Sequence, residues 1–171
     1  MNKRNALCIV ECIFIIGISV IGCTKSNLAP EQNMETGNLG DFVHILEQYR
    51  NGVLANRNGE YLRTQIITFA FAEGNRAFFC TSSVKPMYTQ LVNFPYVSYC
   101  TYPEDFEPVL SINGKVVFID DKALQERALE SNYYAKSHFK SVDNPILKVF
   151  CIEVQEIETY SSEGTKIYAV R

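Results

Sequence analysis

Residues between Glu60 and Cys100 have the types and spacing to hold an anion. Arg63 sits in the period-2 run Tyr61–Phe71, Thr81-Ser82-Ser83 is a small polar stretch, and Lys85-Pro86 opens the segment after it. Hydroxyls, free backbone N–H groups, a lysine and a helix N-terminus brought together in this way suit a phosphate. Arg63 shares its strand face with Gln65, Ile67 and Phe69. A face of that composition is expected to turn inward, where a guanidinium needs an anion or a hydrogen-bonding partner. The alternative is a strand-end arginine in solvent.

The elements that must position these groups read as an antiparallel meander rather than as alternating βαβ units. The run Tyr61–Phe71 and the shorter Ala77–Cys80 predict two strands joined at Glu73-Gly74-Asn75-Arg76. Ser83 is expected to cap a helix with Pro86 in its first turn and Met87 and Leu91 on its buried face. Tyr96–Cys100 then reads as a third strand. Upstream, Asp41 is expected to cap a helix in which Phe42, Ile45, Leu46 and Tyr49 form one stripe, stopped by Asn51-Gly52. Val53-Leu54-Ala55 reads as a short strand and Asn56-Arg57-Asn58-Gly59 as a hairpin turn.

Downstream, Val109–Ile119 predicts a long strand with a bend or bulge at Asn113-Gly114. Asp121 is placed to cap a helix over Lys122–Ser131. The stretch Ile146–Ile157 predicts a final strand that buries Val149 and Cys151. Between them, Asn132–Asn144 is polar and aromatic and reads as a connecting loop. The other reading makes it a lid, with His138 as a proton donor. His44 falls off its helix stripe and reads as a surface histidine.

This ordered series resembles a known family. The stretches are Leu62-Arg63-Thr64-Gln65, Phe79–Leu91, Asn93–Ser98, Asn113–Phe118, Leu124–Glu130 and Leu147–Glu153. Together they are similar to the FMN-binding split barrels of the pyridoxamine 5′-phosphate oxidase-like superfamily, in particular its short, single-domain flavin-nucleotide-binding branch. The resemblance spans Asp41 to Thr159. It implies a mainly β fold with flanking helices, an antiparallel split β-barrel. It also implies FMN as cofactor, with Arg63, Thr64, Gln65, Thr81, Ser82, Ser83, Lys85 and Gln90 as binding residues, and a homodimer with flavin at the interface. Relatives often carry a second basic residue where this chain has Gln65, which can instead bond the ring edge. Authentic pyridoxamine phosphate oxidation is disfavoured, because the Trp- and Arg-rich C-terminal segment of that enzyme has no counterpart after Cys151. What remains is an FMN-dependent oxidoreductase acting on a small molecule by flavin hydride or electron transfer. The alternative is a non-catalytic module that binds flavin, deazaflavin or haem.

The rest of the composition fits one domain with an appendage. With 16 Lys and Arg against 19 Asp and Glu, the net charge of −3 gives no basic surplus for nucleic acid. Cys80, Cys100 and Cys151 have no C-x-x-C spacing and no paired histidines, so they read as small buried hydrophobes rather than as zinc ligands. Glycine-rich phosphate loops are absent. At the N-terminus, Lys3 and Arg4 precede an apolar run that ends in Val20-Ile21-Gly22-Cys23. That pattern resembles a bacterial lipoprotein signal, giving a signal segment over 1–22 and a polar tether over 23–38. The flavin domain then covers 39–171, outside the cytoplasm and held to the membrane through lipidated Cys23. An uncleaved anchor or a cytoplasmic protein is the alternative. Cys23→Ala is expected to leave the precursor uncleaved or shift its processing, as read by mass spectrometry of the membrane fraction. An intact, unlipidated Met1 terminus on the wild-type protein contradicts the signal.

Overall fold

A computed structural model describes residues 34–171, and the expectations for the signal segment and Cys23 lie outside them. The long strand β7 (Leu147–Ser161) organises the sheet. One of its edges pairs with β6 (Val109–Phe118) along almost its whole length. The other edge pairs first with β4 (Arg76–Ser82) and then with β8 (Gly164–Val170). From β4 the sheet continues through β3 (Tyr61–Glu73), β2 (Asn51–Asn58) and β5 (Tyr96–Thr101) back to β6. Six strands thus close a barrel, the architecture expected from the sequence. Two further strands extend it. β8 lies beyond β7, and β1 (Met34–Gly37) pairs with β8 in parallel, Met34 opposite Ile167 and Gly37 opposite Val170. These two were not expected, and β1 places 34–37, the end of the stretch expected to be a tether, in the sheet.

Two apolar cores follow from the alternation of side chains along the strands. Inside the barrel, Phe79 packs against Tyr99 and Phe150 with ring centroids 4.9 and 5.4 Å apart. Leu54, Ile67, Phe69 and Ile112 join them, sealed at one end by Ile45 and Leu46 of α1 (Val43–Gln48). The second core lies outside the barrel wall. There Phe71 and Phe78 stack at 4.2 Å, and Cys80, Val149 and Cys151 pack under α3 (Lys122–Ser131) and α4 (Tyr133–Phe139). All three described cysteines are free thiols, with Cys80 and Cys151 buried as expected and Cys100 only partly buried.

Several local expectations need correction. Asp41 does not cap a helix; it lies inside a 3-10 turn, Leu39–Phe42, and its carboxylate accepts from the Asn38 amide at 2.7 Å. The hairpin turn sits at Gly59-Glu60, so Asn56, Arg57 and Asn58 belong to β2. Gly59 takes the left-handed conformation, φ +63°, that the turn demands. The supposed loop after Ser131 contains helix α4, capped by the Asn132 carboxamide, which accepts from Ala135 N–H at 3.0 Å. The Asp121 cap of α3 is as expected, accepting from Leu124 N–H at 2.9 Å.

The expected bulge at Asn113-Gly114 is present, with Gln155 of β7 as the extra residue. A Cβ on Gly114 would stand 2.1 Å from the Glu153 carbonyl oxygen. Gly114→Ala should therefore cost about 1–3 kcal/mol of stability, as overpacking against backbone that cannot move aside. Urea unfolding measures it, and an unchanged midpoint would show that β7 yields.

Candidate functional site

The site arises where β3 changes partners. Its first half, Tyr61–Thr68, pairs with β2, whereas pairing with β4 begins only at Phe69 and is shifted by a bulge before Phe71. Beyond Phe79, β4 remains paired with β7 through Ser82. Among the described residues, the first half of β3 therefore has no strand at its second edge, where the Thr68 carbonyl is met by the Asn132 side chain rather than by a strand. The turn after β4 and helix α2 (Pro86–Asn93) face that edge.

Two clefts adjoin along it. One, about 270 Å³, is lined by Ile66, Ile67, Cys80, Thr81, Lys85 and the α4 residue His138. The other, about 360 Å³, is lined by Arg63, Thr64, Gln65, Pro86, Met87 and Gln90. Gln65 and Ile66 are consecutive on β3, as are Lys85 and Pro86, so the clefts are neighbouring parts of one trough. The second alone lies at the low end of the ordinary range of ligand sites, about 300–1,000 Å³, and the first just below it.

The anion-binding residues expected from the sequence are distributed between these clefts. Arg63 and Lys85 are both exposed, and neither forms a salt bridge among the described residues. Arg63 is thus not turned into the core, because the open end of β3 projects beyond the barrel packing. Thr81 is 2 % exposed, and its hydroxyl has no hydrogen-bond partner among the described residues. A buried hydroxyl left unpaired costs free energy that a bound polar group would recover. Ser82 is buried and shapes the turn, its hydroxyl accepting from Val84 N–H at 3.4 Å and its carbonyl from Lys85 N–H at 3.1 Å. Ser83 does not cap α2. Its N–H donates to the Ile146 carbonyl at 2.8 Å, and the capping position falls to Lys85, whose side chain makes no cap bond. Pro86 opens the helix and Met87 and Leu91 are buried, as the spacing predicted.

Gln65 and Gln90 are joined through Asn56, which lies in β2 and not in the hairpin turn. The Asn56 carboxamide accepts from Gln65 Nε2 at 3.1 Å and donates to Gln90 Oε1 at 2.9 Å. The signal was its parity with Leu54, which places both on the inward face of β2. Helix α4 was the other omission. Asn132 fastens it to β3 by donating to the Thr68 carbonyl at 3.2 Å, which brings Tyr134 and His138 to the wall of the first cleft.

No protein-family model and no curated protein matches the sequence, whereas solved structures do. A NimC/NimA family protein from Clostridium acetobutylicum superposes with a TM-score of 0.68 at 20% identity, over 77% of this chain and 91% of that one. A protein of Listeria innocua named as a pyridoxamine 5′-phosphate oxidase gives 0.63 at 25% identity, over 72% and 98%. A heme binding protein from Mycobacterium smegmatis gives 0.61 at 16% identity, over 71% of this chain and 53% of that one. The split barrel anticipated from the sequence is the architecture these structures share with this chain.

Burial pushes the Cys80 thiol at the floor of the first cleft up to about 12, so at neutral pH it stays protonated and unreactive. Burial likewise raises Cys151, to about 11. The folded chain keeps protons that the unfolded chain releases from about pH 8.5 upward. The stability these thiols contribute is therefore whole below that pH and is lost as pH rises towards their folded values. Urea unfolding should show stability falling between about pH 9 and 11, less steeply in Cys80→Ala. Equal slopes would mean that Cys80 ionises freely in the folded protein.

Proposed function

We propose that this pyridoxamine 5′-phosphate oxidase-like split barrel holds FMN along the open edge of β3 and acts as an oxidoreductase on a small molecule. The observation that carries the reading is a pair of cations, Arg63 and Lys85, that flank adjoining clefts beside the Thr81 hydroxyl, all three without partners among the described residues. The two cations would hold the phosphate, assisted by the N–H groups of the first turn of α2. Thr64, Gln65, Thr81 and Gln90 offer polar contacts for the ribityl chain and the ring edge, and Ile66 and Ile67 offer apolar surface for the ring. Ser82 and Ser83 act through the backbone of the turn that presents Lys85. Bound FMN would supply the hydride or electron transfer, and this chain's part is to bind, orient and shield it.

A homodimer belongs to the same proposal. Tyr61, Leu62 and Ile66 beside the trough are 70, 78 and 82% exposed, an apolar strip that a second copy would cover. Lipid anchoring through Cys23, outside the cytoplasm, completes it. The heme binding protein among the similar structures favours a second reading, in which the barrel carries flavin, deazaflavin or haem without turnover. The visible spectrum of the purified protein separates flavin from haem, and NAD(P)H oxidation with an acceptor separates enzyme from carrier.

Charge-assisted bonds contribute about 1.5–3 kcal/mol each. Arg63→Ala and Lys85→Ala should each weaken FMN binding by roughly one to two orders of magnitude, with the flavin-saturated wild type sedimenting as a dimer. Unchanged affinity in both variants sinks the phosphate assignment, and a monomer that binds FMN tightly sinks the dimer.

A further inference from the structure

Asn56 is 1% exposed, yet all the hydrogen-bonding capacity of its carboxamide nitrogen is used. Nδ2 donates to the Arg57 carbonyl at 3.3 Å and to Gln90 Oε1 at 2.9 Å, while Oδ1 accepts from Gln65 Nε2 at 3.1 Å. The two ends of a carboxamide are alike in shape and opposite in chemistry, so its orientation is fixed only by a neighbour that cannot change role. The Arg57 carbonyl is such a neighbour, because it can only accept. It holds the Asn56 nitrogen on its side, and the choice propagates outward. Gln90 must turn its oxygen to Asn56 and its NH₂ away, whereas Gln65 must turn its NH₂ to Asn56 and its oxygen away.

Both glutamines line the cleft that contains Arg63. We infer that Asn56, which lies behind this cleft, is the positioning residue that sets its polarity. Gln90 then presents a donor alongside the Arg63 guanidinium, and Gln65 presents an acceptor. The cleft is matched to a ligand carrying both an anionic oxygen and a hydroxyl, as a phosphorylated polyol does. A ligand with acceptors alone leaves Gln65 unmet, and one with donors alone opposes Arg63 and Gln90. The assignment to FMN rests on the functional reading above, but the polarity itself is a property of the free protein.

The test is side-chain amide hydrogen exchange by NMR on the full chain, with Asn56→Leu, Gln65→Met and Gln90→Met used to assign the signals. In the free wild type, the Asn56 and Gln65 NH₂ groups should be protected and that of Gln90 should exchange freely, becoming protected on addition of FMN. Asn56→Leu and Gln90→Met should each weaken FMN binding about tenfold, and the double variant should lose no more than Asn56→Leu alone, because the two share one route. A Gln90 amide already protected in the free protein, or losses that multiply in the double variant, overturns the inference. If Asn56→Leu does not fold, the wild-type exchange pattern decides alone. A wild type with the expected free-state pattern that binds no FMN would remove the flavin reading and leave the polarity standing.

Discussion

The structure depends on β4 leaving β3 halfway along. Up to Phe79, β4 serves as an ordinary barrel strand, and beyond it Thr81 and Ser82 stay with β7 while the first half of β3 runs on paired with β2 alone. A strand edge opened in this way would ordinarily invite association with another chain. Here the turn from Ser82 to Lys85 and the start of α2 face it, so that the edge becomes the floor of a trough rather than a free ribbon. The bulge before Phe71 is the point at which this divergence is set. Arg63, Thr64 and Gln65 on one side and Thr81 and Ser82 on the other take their positions from that departure.

Keeping the trough open requires rigid walls, and the two cores supply them on opposite sides of the sheet. The interlocked rings of Phe69, Phe79, Tyr99 and Phe150 fix β3, β4, β5 and β7 from within. From outside, Arg50 reaches both the Ala70 carbonyl at 3.0 Å and the Ser131 carbonyl at 2.9 Å, tying β3 to the end of α3. Asn132 repeats the device one residue later, bonding the Thr68 carbonyl while it caps α4. Two side chains thus secure the α3–α4 corner to the same strand that carries Arg63. The α4 wall and the β3 floor are thereby joined by side-chain hydrogen bonds as well as by packing.

The sequence revealed what is local. Helix α2, with Pro86 first and Met87 and Leu91 inward, follows from spacing within eight residues, and the Asp121 cap and the Asn113-Gly114 bulge are equally short-range. The closed barrel was legible through the resemblance, since pairings such as β6 with β7 cannot be deduced from periodicity. What was missed is long-range or weakly patterned. Asn56 looks like a turn residue until its partners, 9 and 34 positions away, are in place. Helix α4 is short, and its buried pair Ala135 and Phe139 is obscured by exposed Tyr133 and Tyr134. β8 has a half-buried face without clear alternation, and it becomes a strand because β7 outruns β4 and offers it an edge. Ser83 has the composition of a cap, but it is still bonded to the Ile146 carbonyl ahead of β7, and the helix begins only at Pro86 with Lys85 in the capping position.

The parallel ladder between β1 and β8 has a mechanical meaning. Tension arriving through the chain ahead of Met34 would pull along the axis of β1, against a strand that runs in the same direction and is itself backed by β7. Force applied that way is borne as shear, shared among the paired residues from Met34 to Gly37 rather than peeling them one after another. β8 and β7 then pass the load into the barrel wall at residues 156–161, away from the part of β7 that pairs with β4.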